Sequence, residues 1–569
     1  MPARGLCSIA KRLAHGRYQR GAGQCLLNLF AAEKRNHGCG SAVVWTSMRE
    51  TTQSSPLRQT LASRRQARGI IVSASSHNYK CSSDLMSKHP RHYFCLPLLI
   101  WALMLMVCFP AQATNDAKGN NNLPPVFVQA LKKAGVPESA VAVDIRRVLS
   151  GETIVAHNNQ AIFRPASIMK LVTTQAALEL LGPNYRWTTR VHIDGVQRGD
   201  VLQGDLIIEG SGDPRFAYED LWRLLRQLRA TGIREIRGAL VIDRGLFQKL
   251  PDDTPPFDGQ ANRAYNALPD ALLLDAKALQ VKLTPETDNA RALFSIEPPM
   301  ADFLVEPPAI GQGECGDLRT ILKPELNGKT LRFGGSYPVS CGQKVLSLHL
   351  HTLNHAQYFD AVFRLLWSEI GGTISGPTRE ARVPASAKEI LQWQSVTLGQ
   401  SIRDINKYSN NVMARNLLLS VVAERGGVSA TATAASAKVL AWLSSSGIDT
   451  TGMVLENGSG LSKEERISAL TLARLLQRAW LTSTMPEFMA SLPLAGVDGT
   501  MSRRLSDRTV KANAHIKTGS LGDVMSIAGY VTTKSGKRVV VVCMVNHANA
   551  GAMRQGFDQL LQWVYDTSD

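Results

Sequence analysis

The stretch that decides the fold runs from Arg164 to Gly182 and reads RPASIMKLVTTQAALELLG. Its apolar residues fall on every side of a helical projection, so the pattern predicts a buried helix that starts after Pro165 and stops at Gly182. Ser167 and Lys170 lie in its first turn. Residues i and i+3 share a helix face, which sets the lysine beside the serine. The plain alternative is a capping serine and a surface lysine. A helix this apolar leaves Lys170 little solvated face, so the spacing points to a nucleophile with a neighbouring base.

Such a helix needs cover on all sides, and the flanking sequence offers it. Residues 126–135 read as a short helix. VAVDIRRV at 141–148, a turn at Ser150-Gly151-Glu152 and TIVAHN form a hairpin pattern. Helical patterns return at 400–424, 430–446 and 468–483. The chain ends with HIKTG, SIAGYVTT, a turn at Lys534-Ser535-Gly536-Lys537, RVVVVCMVN and a helix at 551–566. Antiparallel strands with helices at both ends of the chain predict an α/β domain, an antiparallel sheet flanked by helices, assembled from residues 122–187 and 394–569. Residues 188–393 differ: they are rich in Gly, Pro and short β-like runs, with one helical segment at about 218–231. They read as two mostly-β insertions, one from 188–212 with 280–393 and one from 213–279.

The chain has 569 residues, 44% hydrophobic and 20% charged, which excludes collagen, coiled coil and wholesale disorder. Its net charge of +17 is uneven. Residues 1–113 hold 15 Lys/Arg and 3 Asp/Glu, net +12, which leaves +5 for the remainder. The basic excess sits in a leader, so a nucleic-acid partner is not expected. Residues 93–109, YFCLPLLIWALMLMVCF, follow Lys88 and Arg91 and precede Ala111-Gln112-Ala113. A basic start, an apolar run and a small-x-small end predict an export signal cleaved near Ala113. Residues 1–85 are read as lying outside the working protein, with Met86 as an alternative start, and membrane contact as at most peripheral. Three of nine cysteines follow residue 113. Cys315 and Cys341 sit in Gly-rich loops and form a plausible disulfide in an oxidising compartment, while Cys543 reads as a small buried hydrophobe. No CxxC, HExxH or His-rich cluster suggests a metal, and no cofactor is called for. Nothing in the pattern sets an oligomeric state.

Two further motifs follow the first in order. Ser409-Asn410-Asn411 is S-x-N after a tyrosine, and Lys517-Thr518-Gly519 is K-T-G on a predicted strand. Each is weak alone, and K-S-G recurs at 534–536, where a hairpin turn explains it. Order and context discriminate. A serine becomes a nucleophile once a base takes its proton, and a lysine can serve if burial and nearby cations keep it neutral. Lys517 is such a cation. The ordered set S-x-x-K, S-x-N, K-T-G resembles that of the serine penicillin-recognising enzymes.

The likeness narrows further. GDLIIEGSGDPRF at 204–216, YNALPDALLLD at 265–275, YSNNVMARNLL at 408–418, NGSGLS at 457–462 and LPLAGVDGTM at 492–501 resemble the class C, type 4 penicillin-binding proteins, the D-alanyl-D-alanine carboxypeptidase/endopeptidases. The likeness covers essentially residues 122–569. It implies a transpeptidase-like domain carrying two inserted domains, which suits the 238 residues between the first two motifs. It implies that Ser167 is the nucleophile, Lys170 its base, Ser409 a proton relay and Asn411 a holder of substrate amide and lysine. Lys517 and Thr518, with Gly519 beside them, would take the substrate carboxylate, and the backbone N–H groups of Ser167 and Ser520 would form an oxyanion hole. The substrate implied is the D-Ala-D-Ala end of peptidoglycan stem peptides and cross-links, and β-lactams would acylate Ser167. Where the family commonly has Arg after GSGLS, to read the diaminopimelate side chain, this chain has Lys463; Arg466 is the alternative, and Asp258 is the candidate acidic partner. Two other functions fit the same motifs: a serine β-lactamase, against which the long insert and the absence of E-x-x-L-N argue, and a non-catalytic wall-binding protein, against which intact Ser167 and Lys170 argue.

Overall fold

The computed structural model describes residues 122–286 and 290–567. The leader expectations for residues 1–113 lie outside the described residues. Among those described, no helix is long and apolar enough to cross a membrane.

The run VVVVCMVN explains the architecture. Along Arg538–Asn546 the side chains alternate between two cores. Val539, Val541, Cys543 and Val545 enter one apolar cluster, and Val540, Val542 and Met544 the other. A strand buried on both faces must be interior, and this one is the middle of a five-stranded antiparallel sheet. The order is Thr153–His157, Val141–Arg147, Arg538–Asn546, Val524–Thr532, Ala514–Leu521. The first and last strands of the chain thus join one sheet, as Val141–Arg147 pairs with Arg538–Asn546. Helices Pro125–Ala134 and Arg554–Thr567 cover one face, with Phe127 stacked on Phe557 at 6.3 Å. Helix Lys170–Leu181 lies in the other core with Leu398–Lys407, Asn411–Ser420 and Ala469–Trp480. It is buried all round, as its composition demands. The expected α/β class is what the structure has.

Three features depart from the sequence reading. The helix expected over 400–424 is two helices, because Ser409 breaks it with φ +56°. Within the insert, helix Tyr218–Ala230 is joined by a second, His355–Glu369, where only β-like structure was expected. Asn354 and Gln357 close a capping box at its start: Gln357 N donates to Asn354 Oδ1 at 2.8 Å and Asn354 N to Gln357 Oε1 at 2.9 Å. Lastly, the division at 212/213 does not follow the sheets. Leu240–Asp243 pairs with Val201–Glu209 and with Thr378–Glu380, in one seven-stranded sheet that also takes Thr188–Arg198 and Lys388–Gln394. A smaller sheet holds Ala278–Glu286 between Lys344–His349 and Arg291–Glu297. One apolar cluster runs through both. Cys315 and Cys341 are disulfide-bonded, and Cys543 is buried and free.

Candidate active site

The first turn of the buried helix is tighter than expected. Ala166–Met169 is a 3₁₀ turn, entered through Ala166 at φ +49°, and the α-helix proper begins at Lys170. In a 3₁₀ turn residues i and i+3 eclipse, so the lysine sits over the serine. Lys170 Nζ lies 3.1 Å from Ser167 Oγ. It also donates to Asn411 Oδ1 at 2.5 Å and to the carbonyl oxygen of Ser459. A neutral amine has two N–H bonds and one lone pair. The two acceptors take both N–H bonds, which leaves the lone pair facing the Ser167 hydroxyl. The amine is fully buried, and burial pushes it well below the usual lysine range; the Lys517 charge adds to this, Glu465 opposes it, and Arg415 adds a smaller push down.

Ser409 and Asn411 come from the break between two helices. Ser409 holds the left-handed conformation, Asn410 caps the next helix by accepting from Met413 N at 3.1 Å, and Asn411 is its first residue. A non-glycine residue held at positive φ costs about 1–3 kcal/mol, which the surrounding fold must offset. The break aims Ser409 Oγ at Lys517, whose Nζ is 2.8 Å away and also donates to the Thr518 carbonyl at 2.7 Å. Lys517 is buried too, and burial pulls its amine down to about 7.

Strand Ala514–Leu521 is the sheet edge beside Ser167. A Cβ on Gly519 would stand 2.2 Å from Ser526 Oγ and 3.0 Å from Ser167 N, so only glycine lets the strand lie against Ser167. Ile516 N donates outward to Pro493 O. Strand alternation turns the N–H of Ser520 to the same open edge. Thr518 Oγ1 donates to Thr500 Oγ1 at 2.9 Å, on a segment held by the Lys407–Asp498 ion pair at 2.5 Å. The three motifs therefore meet in one groove, while the second K-S-G, at 534–536, is a turn with Gly536 at φ +82°.

The remaining sequence candidates divide. Lys463 is exposed, stands 5.9 Å above the Phe257 ring, and lines a cavity of about 590 Å³ with Arg415, Glu456 and Glu464 over a floor that includes Leu418 and Leu461. Asp258 follows Phe257 in the chain but does not line that cavity; its carboxylate accepts from Tyr265 OH at 2.6 Å and Asn266 Nδ2 at 2.7 Å. Arg466 folds back on its own loop, donating to the carbonyls of Lys463 and Glu465 at 2.6 and 3.0 Å, so it does not replace Lys463. The sequence reading missed the Ser459 carbonyl and Glu465. The only signal was the pair of glycines in NGSG: a Cβ on Gly460 would lie 2.0 Å from the Ala166 carbonyl oxygen, so this turn packs against the backbone at Ala166 and Ser167.

Comparison with known proteins places the chain in a family. The family model described as the D-Ala-D-Ala carboxypeptidase 3 (S13) family matches residues 128–566. The D-alanyl-D-alanine carboxypeptidase of Actinomadura sp. strain R39 is 29% identical over 437 residues, 73% of this chain and 79% of that protein. The carboxypeptidase DacB of Mycolicibacterium smegmatis is 36% identical over 405 residues, 68% of this chain and 72% of that protein. The crystal structure of penicillin-binding protein 4 (dacB) from Haemophilus influenzae shares the fold, with a TM-score of 0.66 at 22% identity, covering 78% of this chain and all of that one. The match to most of the chain, from the first helix to the last, makes this protein a member of the D-Ala-D-Ala carboxypeptidase 3 (S13) family.

Proposed function

We propose that the protein is an exported, periplasmic serine D-alanyl-D-alanine carboxypeptidase and endopeptidase of peptidoglycan, acting through an acyl-enzyme on Ser167. One observation carries the reading: the Lys170 amine, buried and in no ion pair among the described residues, lies 3.1 Å from the Ser167 hydroxyl. Lys170 takes the hydroxyl proton as Ser167 Oγ bonds to the carbonyl carbon between the two D-alanines. The N–H groups of Ser167 and Ser520 hold the oxyanion. As the C–N bond breaks, Lys170 returns the proton, through Ser409, to the departing amine. Water then attacks the ester, and Ser167 regains its proton. Asn411 orients the substrate amide and Lys170, while Lys517 and Thr518 hold the terminal carboxylate. The cavity around Lys463 suits the stem-peptide side chain, with Asp258 as a neighbour acting from the Phe257 loop.

Mass spectrometry of muropeptides incubated with residues 114–569 tests this directly. Loss of terminal D-Ala and conversion of cross-linked dimers to monomers are the outcomes required; intact muropeptides would sink the proposal. Fluorescent penicillin should label the protein once per chain and fail to label Ser167→Ala. Steady nitrocefin turnover in place of a single burst would instead make it a β-lactamase.

A further inference from the structure

The turn Asn457–Gly460 delivers the Ser459 carbonyl to Lys170, and a single side chain holds that turn in shape. Glu465 is 1% exposed. Its Oε1 accepts from the N–H of Asn457 at 3.0 Å and of Gly458 at 2.7 Å, and its Oε2 from the N–H of Gly460 at 2.8 Å. The other polar groups of the turn are closed as well. Thr173 Oγ1 donates to the Gly458 carbonyl at 2.7 Å, and Asn457 Oδ1 accepts from Ser459 N at 3.0 Å and Ser459 Oγ at 2.6 Å. Among the described residues, no cation lies within ion-pair distance of the Glu465 carboxylate. Order alone would not require an ion here, since a side-chain amide oxygen also accepts from backbone N–H groups. A carboxylate sunk beside a buried amine adds charge as well as order.

We propose that Glu465 is a positioning residue for the reaction at Ser167: its carboxylate holds the 457–460 turn against Lys170 and supplies the negative charge that faces the amine. The proposal rests on the reading of Lys170 as the base. The charged groups that act on Lys170 are Lys517, Glu465 and Arg415, and those on Glu465 are Lys170 and Arg415, the latter also facing Glu456. Burial raises the Glu465 carboxyl, while the three N–H donors and Lys170 draw it back. Of the charges facing Lys170, Lys517 and Arg415 favour the neutral amine and Glu465 favours the ammonium. Removing the Glu465 charge therefore keeps the amine neutral to lower pH.

Glu465→Asp and Glu465→Asn are equal in length and differ in charge, so they separate the two roles. The second-order rate of acylation by fluorescent penicillin is measured across pH in both, with thermal melts alongside. Both variants lose rate because the shorter side chain slackens the turn. The acid limb of the Asn variant lies about one pH unit below that of the Asp variant, the size expected for a nearby opposite charge. Coincident limbs overturn the proposal, and so does failure of both variants to fold, which assigns the carboxylate to the fold alone. Wild-type protein that penicillin does not label at all, or that labels equally well as Lys170→Met, strikes the reading of the base itself.

Discussion

Two sites in this protein bury cations and treat them in opposite ways. In the insert, Arg244 is buried against Asp270 at 2.5 Å and meets Glu380 at 2.9 Å. Burial alone would pull the guanidinium down, but the Asp270 charge and hydrogen bond, then Glu380, outweigh it and hold it above its ordinary value. In the groove of the three motifs, Lys170 and Lys517 are buried more deeply still, yet among the described residues neither forms an ion pair. Hydroxyls, an amide and carbonyls surround them, and both amines are pulled down. A compensated buried charge holds structure together; an uncompensated one is chemically available. Asn416 joins the two regions, since its Nδ2 donates to the Asp270 carbonyl at 2.8 Å and its Oδ1 accepts from Asp270 N at 3.0 Å, on the helix that begins with Asn411. The insert's rigid pair thereby braces the helix that shapes the groove.

The contrast breaks most sharply at Lys170. Lys170→Met should cut penicillin acylation by about 10²–10⁴-fold, the worth of a positioned base, with no loss of thermal stability, because methionine fills the same apolar helix. Acylation within tenfold of wild type would mean that another group takes the serine proton. Next comes Arg244→Met, which leaves Asp270 buried and unpaired. Urea unfolding should show a loss of about 3–5 kcal/mol, while penicillin acylation per folded molecule stays near wild type. A double variant with Asp270→Asn should recover more than half of the loss; no recovery would show that the pair is not the source of the effect.

The sequence makes one side of this contrast legible and hides the other. Ser167 and Lys170 can be read because burial is written into the residues around them: a helix apolar nearly all round leaves little solvated place for an amine, while Lys517 is read from its motif alone and its burial is not. Ser409 is harder. Its motif is visible, but the break it makes in an otherwise helical pattern needs one residue at positive φ and neither Gly nor Pro to announce it. Helix His355–Glu369 is missed for a related reason, since Tyr358, Phe359, Val362, Phe363 and Trp367 carry strand propensity and only their shared buried face makes them helical. Glu465 follows Lys463 and Glu464, and in sequence it is one more surface charge. Its burial depends on three N–H groups that converge only once the turn is folded. Asp258 is legible only as a carboxylate near the groove: its hydrogen bonds from Tyr265 and Asn266 appear only in the fold.

The smallest effect sharpens the comparison most, because it has the opposite sign from the Arg244 result. Lys517 titrates near 7 in the fold, against about 10.4 for a free lysine. Below pH 7 the side chain is charged in both folded and unfolded states, so the folded state bears the whole cost of burying the ion. Between pH 7 and the unfolded value the unfolded chain binds the extra proton, and stability rises with pH. Above that range both states are neutral and the cost is gone. Lys517→Met should therefore stabilise the protein by about 1–3 kcal/mol at pH 6, and the gain should shrink steadily toward pH 10. If Lys517 holds the substrate carboxylate as proposed, kcat/KM of wild type for a D-Ala-D-Ala peptide should decline on the alkaline side around pH 7, as the side chain of the free enzyme loses its charge. A methionine variant that is less stable than wild type at pH 6 would show that the buried ammonium contributes to the fold as Arg244 does, and the distinction between the two regions would fail.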